Sequence, residues 1–124
     1  MKVNPIGWFE IYVDDMARAA KFYETVFETK TEAMASGPEI QMQAFAGDMT
    51  SHGSGGVLAH MPGFKAGGNS VLIYFKSDDC AIEEKRIAAA GGKVFKPKMN
   101  IGPYGFITLG IDTEGNMFGI HSMK

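Results

Sequence analysis

Residues 7–15 read GWFEIYVDD, and residues 71–79 read VLIYFKSDD. Each runs into a helix-like stretch, MARAAKFYETVF at 16–27 and CAIEEKRIAAAGG at 80–92. Setting Asp14-Asp15 on Asp78-Asp79 places the copies 64 residues apart. Phe9, Ile11 and Val13 then meet Ile73, Phe75 and Ser77, while Trp8, Glu10 and Tyr12 meet Leu72, Tyr74 and Lys76. Side chains alternate across a strand, so one face of each copy is largely apolar and should pack on a helix. The other face mixes aromatic, acidic and basic groups and must look elsewhere.

The aspartates announce the helices. An N-cap Asp accepts orphan backbone N–H groups, and its charge suits the positive end of the helix dipole. The first helix offers Met16, Ala19, Ala20, Tyr23, Val26 and Phe27 as its apolar face. The second offers Cys80, Ile82, Ile87, Ala88 and Ala90, and should stop at Gly91-Gly92, where glycine tolerates a left-handed backbone. Shorter strands follow each helix: one near 30–35, then EIQMQAFA (39–46) and GVLAHM (56–61) in the first half. KVFKP (93–97), FITLGI (106–111) and MFGIHS (117–122) follow in the second, with DTEG (112–115) turning between the last two. The order strand–helix–strand–strand–strand thus occurs twice. An α+β domain over 1–124 is expected, with module 1 at about 1–61, the Gly/Pro-rich linker PGFKAGGNS at 62–70, and module 2 at about 71–124.

Composition limits the function. The chain is 45% hydrophobic and 21% charged, as in ordinary globular domains, and its net charge of −2 gives no field for nucleic acid or an anionic membrane. No apolar run reaches the roughly 20 residues of a membrane span, and MKVNPIGW lacks the apolar core of a signal peptide. One cysteine, Cys80, cannot form an internal disulfide and fits a reducing compartment, so cytoplasm is the expected location.

The strings WFEIYVDDMARAAKFYETVF (8–27), YFKSDDC with AAAGGKV (74–80, 88–94) and DTEGNMFGIHS (112–122), in this order and with an internal repeat, resemble the vicinal oxygen chelate superfamily. That superfamily includes glyoxalase I, extradiol dioxygenases and bleomycin-resistance proteins. The resemblance is closest to its glyoxalase-related branch of unassigned activity. It implies two tandem βαβββ modules whose sheets curl into a cup with the helices outside, and a homodimer. Trp8, Tyr12, Leu72, Tyr74, Lys76, Tyr104, Met117 and Gly119 are the ligand-binding residues expected at such a cup. Metal-using members place ligands on the first and last strand of each module. Carried over residue by residue, those positions are Trp8, Leu72, Gly119 and either Gly55 or Gly56. None offers the imidazole, carboxylate or thiolate that a divalent ion requires. No metal or other cofactor is therefore expected, although Glu10, His60 and His121 would form an unorthodox metal site if they converged.

The remaining chemistry-bearing residues each have a plain alternative. Glu10, on the mixed face between Trp8 and Tyr12, suits a general base if burial raises its pKa; otherwise it is a structural carboxylate. His121 shares a face with Gly119 and would bind ligand or work with Glu10, or else simply contact the C-terminal residues. The face of His60 is open, and His52 belongs to an exposed loop. Cys80 matches Met16 and reads as a packing position rather than a nucleophile. Met42, Met99 and Met117 offer a soft wall for an apolar ligand. GSGG (53–56) reads as a hinge for a mobile flap, since no Lys-Ser/Thr follows it as in a phosphate loop. Three functions remain: metal-independent binding of a small, partly apolar or aromatic molecule; a lyase or isomerase of the lactoylglutathione-lyase-related type with Glu10 as base, with or without a divalent metal; and a module whose cup is filled by its own side chains.

Overall fold

The structure, a computed structural model, describes residues 4, 6–48 and 50–124. It has the expected order twice over: β1 (Trp8–Tyr12), α1 (Met16–Phe27), β2 (Thr31–Met34), β3 (Gln41–Phe45) and β4 (Gly55–His60), then β5 (Tyr74–Lys76), α2 (Cys80–Ile87), β6 (Lys93–Asn100), β7 (Phe106–Ile111) and β8 (Met117–Ser122). A short 3₁₀ turn, Gly102–Tyr104, joins β6 to β7. Each module forms a four-stranded sheet, ordered β1-β4-β3-β2 and β5-β8-β7-β6. The first strand of each runs parallel to the last, and the other pairs are antiparallel. This is the α+β pair of βαβββ modules.

The 64-residue offset survives in the backbone. Asp15 and Asp79 are the two N-caps, accepting from Arg18 N at 3.0 Å and Ala81 N at 3.0 Å. Val13 N donates to Ala59 O, and its counterpart Ser77 N donates to His121 O. The last strands are therefore displaced by 62 residues rather than 64.

Phe9, Ile11 and Val13 face the helices as their alternation predicts, and Ile11 and Val13 are buried. The core is an aromatic cluster shared by the modules. Tyr23 of α1 lies 5.6 Å from Phe45, 5.8 Å from Phe75 and 5.7 Å from Phe118, and Phe27 lies 4.5 Å from Phe75. Phe9 of β1 meets Phe75 of β5 edge-on at 6.2 Å, which brings the two first strands together at a seam. Such ring pairs add to burial because edge-to-face contact satisfies their quadrupoles.

Three expectations need correction. Helix α2 ends at Ile87, and 88–92 make a turn closed by Gly92 N donating to Ile87 O at 2.9 Å. Gly91 takes the left-handed backbone (φ 100°) expected there. Only Cys80 and Ile87, seven residues apart and so on one helix face, are buried in α2; Ile82 and Ala88 point to solvent. Of the GSGG stretch expected to hinge a flap, Gly53 lies in the bend before β4, while Gly55 and Gly56 lie inside β4 and pair with Trp8 and Phe9. Gly56 is required there because the Phe9 ring covers its Cα, and a Cβ would meet ring atoms at 2.6 Å and closer.

Candidate ligand-binding site

The face of each sheet opposite the helices carries the mixed residues. On β1, Glu10 accepts from Tyr12 Oη at 2.8 Å and from Trp8 Nε1 at 3.3 Å, so consecutive same-face side chains hold one carboxylate between two aromatic donors. The Tyr12 phenol has a raised pKa, first from its hydrogen bond to this carboxylate, then from partial desolvation and from the Glu10 charge. Glu10 itself is exposed, which removes the burial premise on which its role as a base was framed. On the second sheet Tyr74 lies across Gly119, its ladder partner, and Lys76 stands beside His121. Leu72 precedes β5 and is half-buried.

Both histidines of the strand ends serve the backbone. His121 Nε2 donates to Tyr104 O at 2.6 Å, and His60 Nδ1 donates to Val13 O at 2.8 Å. His60 follows the alternation of Leu58, a core residue, and so faces away from Glu10. Tyr104 is 72% exposed on the 3₁₀ turn, and it contributes its carbonyl rather than a wall. Cys80 is fully buried and packs in the core as its match to Met16 predicts.

Between the end of β1, the segment leading into β5 and the start of β8, a cavity of about 300 Å³ opens beneath the 62–70 linker. Of the residues picked out in the sequence, Glu10, Tyr12 and Met117 line it, and Trp8 adjoins it through its bond to Glu10. Leu72, Tyr74, Lys76, Gly119, His121 and Tyr104 are not on its wall; neither are Met42 and Met99. The volume holds many waters at ~30 Å³ each, so the side chains that line this cavity do not fill it.

The cavity roof is what the sequence reading missed. Residues 62–70 form a strap fixed at four points. Phe64 stacks on Tyr12 at 5.4 Å, Ala66 N donates to Asp14 Oδ1 at 3.1 Å, and Gly67 N donates to Asn116 Oδ1 at 2.7 Å. Asn69 copies a strand partner, accepting from Met117 N at 3.0 Å and donating to Met117 O at 2.7 Å. Gly63, Gly67 and Gly68 take φ values of 89°, 85° and 63°, open to few other residues. An aromatic and an asparagine inside a glycine-rich linker were the available signal.

The buried charges of the molecule lie behind this cavity, in the 112–116 turn. Glu114, its side chain wholly buried, accepts from Asp14 N (3.0 Å), Asp15 N (2.9 Å), Arg18 Nε (2.7 Å) and Arg18 Nη2 (2.9 Å). Burial pushes its pKa up, but the bonds from Arg18, the two amides and Thr113 outweigh that and hold it at about 2. Asp112 accepts from Tyr23 Oη at 2.7 Å, and burial sets its pKa above the usual value despite four favourable bonds. Asn116 donates to Tyr12 O at 2.9 Å. A turn of module 2 therefore clamps β1 and α1 of module 1 and the strap between the modules.

A family model described as the Glyoxalase/Bleomycin resistance protein/Dioxygenase superfamily matches residues 5–120. The chain belongs to this superfamily. A glyoxylase-like domain-containing protein from Didymella fabae is 31% identical over 121 residues, covering 93% of this chain and 91% of that one. A glyoxalase I variant from Zea mays superposes with a TM-score of 0.77 at 16% identity, covering 96% of this chain and 47% of the maize protein. This chain thus spans about half of the maize enzyme. An antibiotic-binding protein from a Streptomyces species superposes with a TM-score of 0.72 at 22% identity, covering 98% of each chain.

The ladder also tests whether the superfamily's metal would fit here. Glu10 and Tyr74 are 64 residues apart and pair with Val57 and Gly119 respectively, so the counterpart of Gly119 is Val57 rather than Gly55 or Gly56. Trp8, Leu72, Val57 and Gly119 have no side-chain donor for a divalent ion. Among the described residues no three of His, Cys, Asp and Glu converge, and Glu10, His60 and His121 do not come together. The residues present do not fit a resident metal.

Proposed function

We propose that this member of the glyoxalase superfamily binds a small, partly aromatic molecule in the seam cavity, without a metal. The observation that carries the reading is the cavity itself: about 300 Å³, walled by Tyr12, Phe64, Met117 and Phe118, at the low end of the size of small-molecule sites. Rings and a thioether supply apolar contact, and Glu10 supplies a polar anchor. The antibiotic-binding Streptomyces protein of the same fold supports the reading by likeness. Trp8 is the single tryptophan and touches Glu10, so its emission reports on the cavity. Titration with a panel of small bicyclic aromatics should quench that emission and raise the melting temperature together. A panel that moves neither removes the proposal.

One observation favours a second reading, proton transfer by Glu10. Its carboxylate is held by two donors and lines the cavity, as a positioned base would. In that case Glu10→Gln would abolish solvent-deuterium exchange into a carbonyl substrate by about 10²-fold or more, and protein freed of metal by chelation would keep its exchange activity. Loss of exchange on chelation, restored by a divalent ion, would instead assign the chemistry to a metal.

A further inference from the structure

The charge inside the seam cavity limits what it selects. Most polar side chains on its wall are already engaged with the protein. Asn69 bonds both backbone groups of Met117, Asn116 bonds Gly67 N and Tyr12 O, and Tyr23 Oη bonds Asp112. Tyr12 Oη is spent on Glu10. Two charged groups remain, Glu10 and Lys65, and among the described residues neither makes an ion pair. They differ in how they are held. Lys65 is an exposed side chain of the strap whose ammonium makes no hydrogen bond among the described residues. The Glu10 carboxylate is fixed by Trp8 Nε1 and Tyr12 Oη, on a strand, beside the Tyr12–Phe64 stack.

An ionised carboxylate has about four acceptor positions, and the protein fills two of those on Glu10. A preorganised carboxylate beside aromatic faces is the arrangement that attracts an organic cation, since the ring quadrupole and the charge act in the same sense. Neutral donors gain only the hydrogen bond, and anions are repelled.

Resting on the reading that the seam cavity binds a small aromatic molecule, we infer that its ligand carries a protonated amine, which docks on Glu10 while an apolar or aromatic body lies against Tyr12, Phe64 and Met117. Lys65 is then outside the recognition and stays in solvent.

Calorimetry with three matched probes tests this: 1-naphthylmethylammonium, 1-naphthylmethanol and 1-naphthoate. The ammonium should bind at least about tenfold more tightly than the alcohol, and 1-naphthoate more weakly still. Glu10→Gln, which keeps the shape of the side chain, should bring the ammonium to the level of the alcohol and leave the alcohol unchanged. Lys65→Met should leave the order of the three intact. Equal binding of ammonium and alcohol overturns the inference while preserving the pocket. Tightest binding by 1-naphthoate, lost in Lys65→Met, reverses the charge assignment and also overturns it. Binding of none of the three defeats the inference and the pocket reading together.

Discussion

At the scale of single residues, glycine shows where the fold has no room and where it merely has a neighbour. A Cβ at Gly92 would meet the backbone carbonyl of Ile111 and Phe22 Cε1 at 2.6 Å, and neither can retreat, because one is main chain and the other is core. At Gly119 the obstacle is the Tyr74 ring, which is 44% exposed and free to swing outward. Gly92→Ala should therefore cost about 3 kcal/mol and lower the melting temperature by roughly 10 °C, whereas Gly119→Ala should cost under about 1 kcal/mol. Thermal melts of the two variants decide it; equal losses would mean that the Tyr74 ring is as confined as the core. Tyr23 makes the complementary point for a polar atom. Its hydroxyl is buried on Asp112, and its own pKa is raised well above the usual value, first by burial and then by the adjacent carboxylate. Tyr23→Phe keeps every ring contact but removes one donor from a buried carboxylate. It should cost about 2 kcal/mol by urea melts, and a loss under about 0.5 kcal/mol would show that the three remaining donors of Asp112 suffice.

At the scale of elements, the strap is held by one ring stack and a few hydrogen bonds, most of them exposed, so it should open without the sheets. Asn69→Ala removes both bonds to Met117 while burying and exposing almost nothing. Amide exchange at Ala66 and Gly67 should accelerate about tenfold or more, with the melting temperature of the whole protein unchanged within 2 °C or so. Acceleration spread evenly over β8 would contradict this, because it would make the strap part of the sheet's own cooperative unit. The strap also marks the limit of what the chain's one-dimensional pattern reveals. Strands β1, β7 and β8 and helix α1 were legible because burial imposes a period, two for a strand and 3.6 for a helix, and their residues obey it. The caps were legible because Asp at an N-cap acts within one turn. The strap obeys no period: its contacts are 50 residues or so away in sequence, and glycine-rich composition describes freedom rather than position. Helix α2 was overextended for a related reason. Ala88–Ala90 have high helix propensity, but with only Cys80 and Ile87 buried no packing extends the helix beyond Ile87. The mixed face of β1 was legible as a face. That Glu10 would be shared by Trp8 and Tyr12 follows from their spacing of two, whereas the cavity needed Ile73, β8 and the strap, which only the folded chain assembles.

At the scale of the whole molecule, the two modules share a core but are fastened by charge. DTEG read as a turn because its composition is that of a turn, and nothing local indicated that Glu114 would reach α1, almost a hundred residues earlier in the chain. The clamp it forms has a pH dependence that follows from its pKa. Held at about 2 in the folded protein against 4.5 ordinarily, Glu114 binds its proton less tightly when folded than when unfolded. Its contribution is then fully present above pH 4.5 and is lost as the pH falls from there toward 2. The shift corresponds to about 3 kcal/mol before screening and to nearer 2 after it, because Arg18 is half exposed to solvent. Asp112 acts in the opposite sense above its ordinary 3.8, since burial raises its folded pKa and the native state gains from protonation there. It is common to the parent protein and to Glu114→Gln, so it largely cancels in their difference. Urea melts of both at pH 6 should show the variant less stable by about 2 kcal/mol, because the glutamine has no charge to pair with Arg18 and must turn its amide donor either toward the Arg18 guanidinium or toward the Asp14 and Asp15 N–H groups. Repeated at pH 3, the gap should shrink by half or more as the parent carboxylate is protonated in the unfolded chain. A gap of the same size at both pH values would mean that Glu114 fastens the modules by shape and hydrogen bonding alone, with its charge contributing nothing.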